Sequence, residues 1–137
     1  MRAYPFELPL RVEPADVDEL GHVNNVVYVR WIQDVAAAHW LSLTTREARA
    51  RTAWVVLRHE IDYKSPAREG EAVVARTHAQ VASAATCERH TQIVRAGDSL
   101  LLAQARTLWC AVDPATGRAR RIPPEIRELF PSEAAAP

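Results

Sequence analysis

Asp16-Val17-Asp18-Glu19-Leu20-Gly21-His22-Val23-Asn24-Asn25-Val26-Val27-Tyr28 passes from a polar loop straight into an apolar run that ends at Leu43. The run predicts a helix over Val26 to Leu43. Tyr28, Trp31, Ile32, Val35, Ala38 and His39 share one face at helical spacing. Val29, Ala36 and Trp40 fill most of the rest, and Arg30, Gln33 and Asp34 leave a narrow polar stripe. A helix apolar almost all round belongs in the middle of a fold. A carboxylate brought to the free N–H groups at its start can attack an electrophile or activate water. The helix end can hold the negative charge that develops.

Upstream, Tyr4 to Val12 alternates as a first strand that Pro14 ends. Downstream, Thr44 to Ala50 reads as a short polar helix or loop. Thr52 to Tyr63, Glu71 to Ser83, Thr86 to Val94 and Ser99 to Val112 are rich in Val, Thr, Ile, Leu and Trp and predict long strands. Ser65-Pro66 with Gly70, Ser83-Ala84, Gly97-Asp98, and Asp113-Pro114 with Gly117 punctuate them. Connections this short force antiparallel neighbours, because parallel strands need longer crossovers. Pro123-Pro124 precedes a short terminal helix over Glu125 to Phe130, and the Ala-rich tail after Ser132 is expected to fray. The order predicts a single α+β domain over residues 1–137, an antiparallel sheet wrapped around one long helix.

The composition fits such a domain. A chain of 137 residues buries roughly 68% of its unfolded surface without staples. Seventeen basic and seventeen acidic residues cancel, which argues against a general nucleic-acid binder. Three basic and six acidic residues precede Ser42, so the charge tilts from an acidic front to a mildly basic back. That tilt suits a small anionic ligand docking on the later segments. Cys87 and Cys110 lack the C-x-x-C spacing of a metal or redox site and fit a reducing cytoplasm. Glu7 and Arg11 interrupt any leader-like apolar run, and no stretch reaches the ~18 apolar residues of a membrane helix. A soluble cytoplasmic protein with no membrane partner is the expectation.

Taken alone, Asp18 reads first as a turn or cap residue, since aspartate is common in both. Asp16 reads as structural, bonding the loop's own amides. His22 either orients Asp18 or water, or hydrogen-bonds a backbone carbonyl. Asn24 or Asn25 suits a helix N-cap. Glu13, Asp16, Asp18 and His22 have neither an EF-hand spacing nor a His-x-x-x-His pattern, so no metal is expected. His39, His59, His78 and His90 are scattered. No serine sits in a G-x-S-x-G elbow, and Cys110 beside Trp109 reads as an inert buried thiol. The four glycines are isolated, which excludes a P-loop and a dinucleotide fingerprint.

Asp16-Val-Asp18-x-x-Gly21-His22-Val23-Asn24-Asn25-x-x-Tyr28, with Trp31 and Asp34 further down the helix, resembles the signature loop of hot-dog-fold acyl-CoA thioesterases. The 4-hydroxybenzoyl-CoA and long-chain acyl-CoA subgroups are the nearest in pattern. Arg58 to Gly70, with Ile61-Asp62-Tyr63 and Pro66-Ala67-Arg68-Glu69-Gly70, also resembles this group. The resemblance implies hydrolysis of a thioester with Asp18 as nucleophile or general base and the backbone N–H around Asn25 as oxyanion donor. It implies no metal or organic cofactor, and self-association as a dimer or tetramer in which a partner chain completes the site. One related branch carries histidine where Asn25 stands and another uses a glutamate from the helix. Here His22 is the nearest substitute for the former, and the helix offers only Gln33 and Asp34.

The acyl group would run along Tyr28, Trp31, Ile32, Val35 and Trp54, residues that are core by default. Lys64, Arg68 and Arg89, with Arg58 and the Arg118, Arg120, Arg121 cluster, are the cations for coenzyme A phosphates, though exposed arginines are commonly just solvated. Two other readings stay open. A hydratase or dehydratase of acyl thioesters needs an acid and a base either side of a double bond, and only one carboxylate with a nearby histidine is evident. A non-catalytic acyl-CoA-binding protein needs only the pocket.

Overall fold

The computed structural model describes residues 4–131, and the tail expected to fray lies outside them. β1 (Phe6–Arg11) leads through a 3-10 turn (Pro14–Asp16) to α1 (Asn25–Leu43) and α2 (Arg46–Arg51). β2 (Ala53–Tyr63), β3 (Ala72–Val81), β4 (Thr86–Arg95), β5 (Leu101–Val112) and α3 (Pro124–Arg127) complete the order. The strands form one antiparallel sheet ordered β1-β3-β4-β5-β2, the α+β layout expected. Alternation and turn residues place every strand bound to within two residues. The 3-10 turn was not anticipated. β1 ends three residues before Pro14, the Glu13 N–H turns to the Asp16 carboxylate, and the Pro14 ring presets the φ of the tight turn that follows.

α1 lies across β3 and β1, with Trp31, Ile32 and Val35 almost wholly buried. Each such side chain contributes about 1.5–3 kcal/mol by leaving water. One apolar cluster joins the first half of α1 (Val27, Tyr28, Trp31, Val35) to Val73, Ala75, Ile93 and Ala103. A second joins Ala79, Val81, Cys87 and Ala111 to Ile122, Ile126 and Phe130 near the other end of the helix. Between them the strand register sets a polar row: Arg89 pairs with Thr107 and Thr107 with His59. His39 of α1 meets this row from above.

A helix enclosed on all sides is not what forms. One sheet covers one side of α1, so Val26 and Leu41 remain 73% and 57% exposed beside the polar Arg30, Gln33 and Asp34. The two sheet edges also differ. β1 is short and carries Pro9, which protects it from further pairing. β2 is eleven residues long and exposes Val55 and Leu57.

Candidate active site

The polar loop is a small hairpin. Val17 bridges Val23, the Asp18 N–H donates to the His22 carbonyl at 2.8 Å, and the Gly21 N–H donates to the Asp18 carbonyl at 3.0 Å. Gly21 takes φ of 76° at the bend, a left-handed conformation open to glycine at little cost. Asp18 Oδ1 accepts from the Leu20 and His22 N–H groups at 2.9 and 3.1 Å. The Asp18 side chain faces solvent, and Oδ2 has no partner among the described residues.

Asp16, two residues earlier, is in a different situation. It is buried, and its Oδ2 accepts from the Glu13 N–H while its Oδ1 accepts from Arg30 at 2.9 Å. Burial alone would raise the Asp16 pKa, but the Glu13 amide and the Arg30 guanidinium outweigh it and hold the carboxyl below its usual value. The Asp16 carbonyl in turn accepts from the Asn24 N–H at 2.9 Å, which joins the hairpin to the start of α1. Arg30, read from sequence as part of the outer stripe with Asp34, is thereby part of the loop's support.

The connection between β2 and β3 packs against the hairpin. His22 bridges Arg68, and the Val23 N–H donates to the Ala67 carbonyl at 3.0 Å. The Tyr28 hydroxyl accepts from the Ala67 N–H at 3.1 Å, and Tyr63 donates to the Asn25 carbonyl at 3.3 Å. Burial pushes the Tyr28 phenol up, more than the Ala67 amide lowers it, so it stays neutral. Tyr28 meets Trp31 and Tyr63 edge-on at 5.3 and 5.4 Å. Asn24 is the N-cap by position, but its side chain makes no capping bond. The Asn25 and Val26 N–H groups consequently find no protein acceptor among the described residues, as expected for the first turn of a helix.

Asp18, His22, Asn25 and Arg68 therefore share one region, Arg68 exposed on the connection that supports the hairpin, while Lys64 is exposed next to Tyr63, its backbone bonded to Leu102. Tyr28, Trp31 and Ile32 do not reach it as an open wall; they are 3%, 2% and 1% exposed, inside the core. Arg89 is elsewhere again, buried beneath the second half of α1. Sequence reasoning missed a cavity of about 310 Å³ there, walled by Trp40, Trp54, Trp109 and Phe130. Its signal was available: period-two alternation places Arg89 on the same sheet face as Cys87, Thr91 and Ile93. Among the described residues no three His, Cys, Asp or Glu side chains gather as a metal would require.

Solved structures share this architecture at low identity. A 1,4-dihydroxy-2-naphthoyl-CoA thioesterase from Synechocystis superposes with TM-score 0.81 and 19% identity, over 91% of this chain and 94% of that one. A thioesterase from Thermus thermophilus, complexed with coenzyme A and zinc, gives 0.83 and 21% over 95% and 94%. A probable thioesterase from Escherichia coli gives 0.76 and 21% over 90% and 95%. No curated protein matches in sequence. The hairpin, α1 and the whole sheet lie within residues 12–130 apart from the first strand, and that span matches the family model of the thioesterase-like superfamily. With the fold in agreement, the chain belongs to the thioesterase-like superfamily and has its hot-dog fold.

Proposed function

We propose that this protein hydrolyses acyl-CoA thioesters, with Asp18 as nucleophile or general base. Family membership supports thioester hydrolysis. The observation that carries the assignment to Asp18 is its half-occupied carboxylate: Oδ1 is held by two loop amides and Oδ2 is left available. Asp16 has both oxygens engaged and is buried, so it supports the loop. A thioester carbonyl against the Asn25 and Val26 N–H groups would meet two donors and the positive end of α1 where its oxyanion forms.

As nucleophile, Oδ2 attacks the carbonyl carbon and expels the CoA thiolate. The resulting acyl-Asp18 anhydride is then hydrolysed by water, returning the carboxylate. As general base, Oδ2 instead takes a proton from the water that attacks. His22, paired with Asp18 across the hairpin, orients that water. Lys64 and Arg68 supply positive charge for the CoA phosphates. Tyr28, Trp31 and Ile32 act from behind, holding the start of α1 against Ala67. The CoA named for two of the structural neighbours supports the carrier.

The long exposed edge of β2 supports self-association, because unpaired strand edges of that length pair with another chain unless blocked. Free, buried Cys87 and Cys110 suit a cytoplasmic location.

The test is thiol release from a panel of aromatic, short and long acyl-CoAs. Asp18→Asn keeps a side-chain oxygen for the Leu20 and His22 amides, so the hairpin should survive. Release should fall by at least about 100-fold with the melting temperature unchanged. Hydration of an enoyl-CoA without thiol release would support the hydratase reading, and tight binding without turnover the carrier reading.

A further inference from the structure

The cavity under the second half of α1 is unlike an ordinary apolar void. Trp40, Trp54, Trp109 and Phe130 form its apolar walls, yet Arg89 and Arg49 also line it and no Asp or Glu does. Arg89 is 6% exposed. Both of its hydrogen bonds leave from Nη1, to His39 Nδ1 at 2.9 Å and Thr77 Oγ1 at 3.1 Å. Arginine only donates, so His39 Nδ1 must accept, and the imidazole is the neutral Nε2–H tautomer. Neither partner is negative, and Arg89 forms no ion pair among the described residues. A buried guanidinium without a counter-charge is costly, and such charges are normally paired.

A cation short of a negative partner and set among aromatic rings describes the complement of one kind of molecule.

We propose that this cavity binds a small apolar carboxylate, its acid group on Arg89 and its hydrocarbon or aromatic body among the tryptophans. The guanidinium matches a carboxylate in shape and charge. A volume of about 310 Å³ holds a body of about ten non-hydrogen atoms, taking liquid water's ~30 Å³ per molecule as the measure. The cavity lies further along α1 than the Asp18 hairpin: Gln33, the lining residue nearest the start of α1, is eight residues from Asn25, about 12 Å along the axis, and Trp54, the far end of the acyl path read from sequence, stands in its wall. The inference concerns binding alone and stands whether or not Asp18 hydrolyses thioesters.

The experiment compares phenylacetate with phenylacetamide, which share size and ring but differ in charge. Three of the four tryptophans line the cavity, so intrinsic fluorescence reports occupancy, with calorimetry giving the affinity. The full-length protein should bind phenylacetate at least about tenfold more tightly than the amide, a 1.4 kcal/mol preference. Arg89→Gln should abolish that preference while amide binding changes by less than about twofold, as judged against the tryptophan contacts it leaves intact. Trp54→Ala removes an apolar wall and leaves Arg89 in place; it should weaken acid and amide binding alike and gives an independent reading of the site if Arg89→Gln does not fold. Equal affinity for acid and amide, no saturable signal from either, or a preference that survives Arg89→Gln overturns the proposal.

Discussion

His39 lies between Phe6 and Phe130, stacked on the first at 5.0 Å and edge-on to the second at 6.3 Å, with Arg89 bonded to its Nδ1. Burial, and then the adjacent Arg89 charge, push its pKa down to about 4. The folded protein thus keeps His39 neutral where the unfolded chain binds a proton. Its contribution to stability is complete above pH 6.5 and is lost as pH falls toward 4, at most about 3 kcal/mol. Thermal melts between pH 7.5 and 4.5 should show this decline. His59 is shifted the same way by burial, so the slope is shared. His39→Gln, whose amide oxygen still accepts from Arg89, should flatten the curve; an unchanged slope would assign it to other groups.

The hairpin that carries Asp18 depends on ties from three directions at the scale of elements. Asp16 ties it to the 3-10 turn and α1, Gly21 closes its bend, and Ala67 ties its return strand to the β2–β3 connection. Asp16→Ala removes an acceptor from the Glu13 amide and from Arg30. Arg30 is half exposed, so solvent screens part of that pair, and the expected loss is about 1–2 kcal/mol. A melting temperature lower by about 5 °C would register it. Thiol release should fall as well, through KM and kcat together, because the loop loses position and keeps its reacting group. A variant with unchanged melting and normal turnover would show that the hairpin holds itself.

For the molecule as a whole, the open edge at β2 decides the proposed assembly. Val55 and Leu57 are 43% and 57% exposed on a strand that, among the described residues, pairs only with β5. The opposite edge is closed to this by length and by Pro9. A Val55→Lys, Leu57→Lys double variant should shift the protein from dimer or tetramer to monomer in light scattering, with far-UV circular dichroism retained. A native protein that is already monomeric at micromolar concentration would end the proposal of pairing through β2.

Strands, turns and α1 are legible from local pattern, because alternation, helical spacing and turn chemistry depend on neighbours along the chain. The same holds for the loop as a place of chemistry, since its Asp, Gly, His and Asn residues are contiguous. The motif already sets Asp18 apart from a structural Asp16, but local pattern cannot show what holds Asp16. Arg30, fourteen positions away, does so only once the chain has folded. Nor does local pattern reveal that α1 stays open on one side, or that Arg89 is enclosed beside His39, fifty positions away. Those facts follow from strand register and from how much of a helix one sheet can cover, and both are set only when distant segments meet.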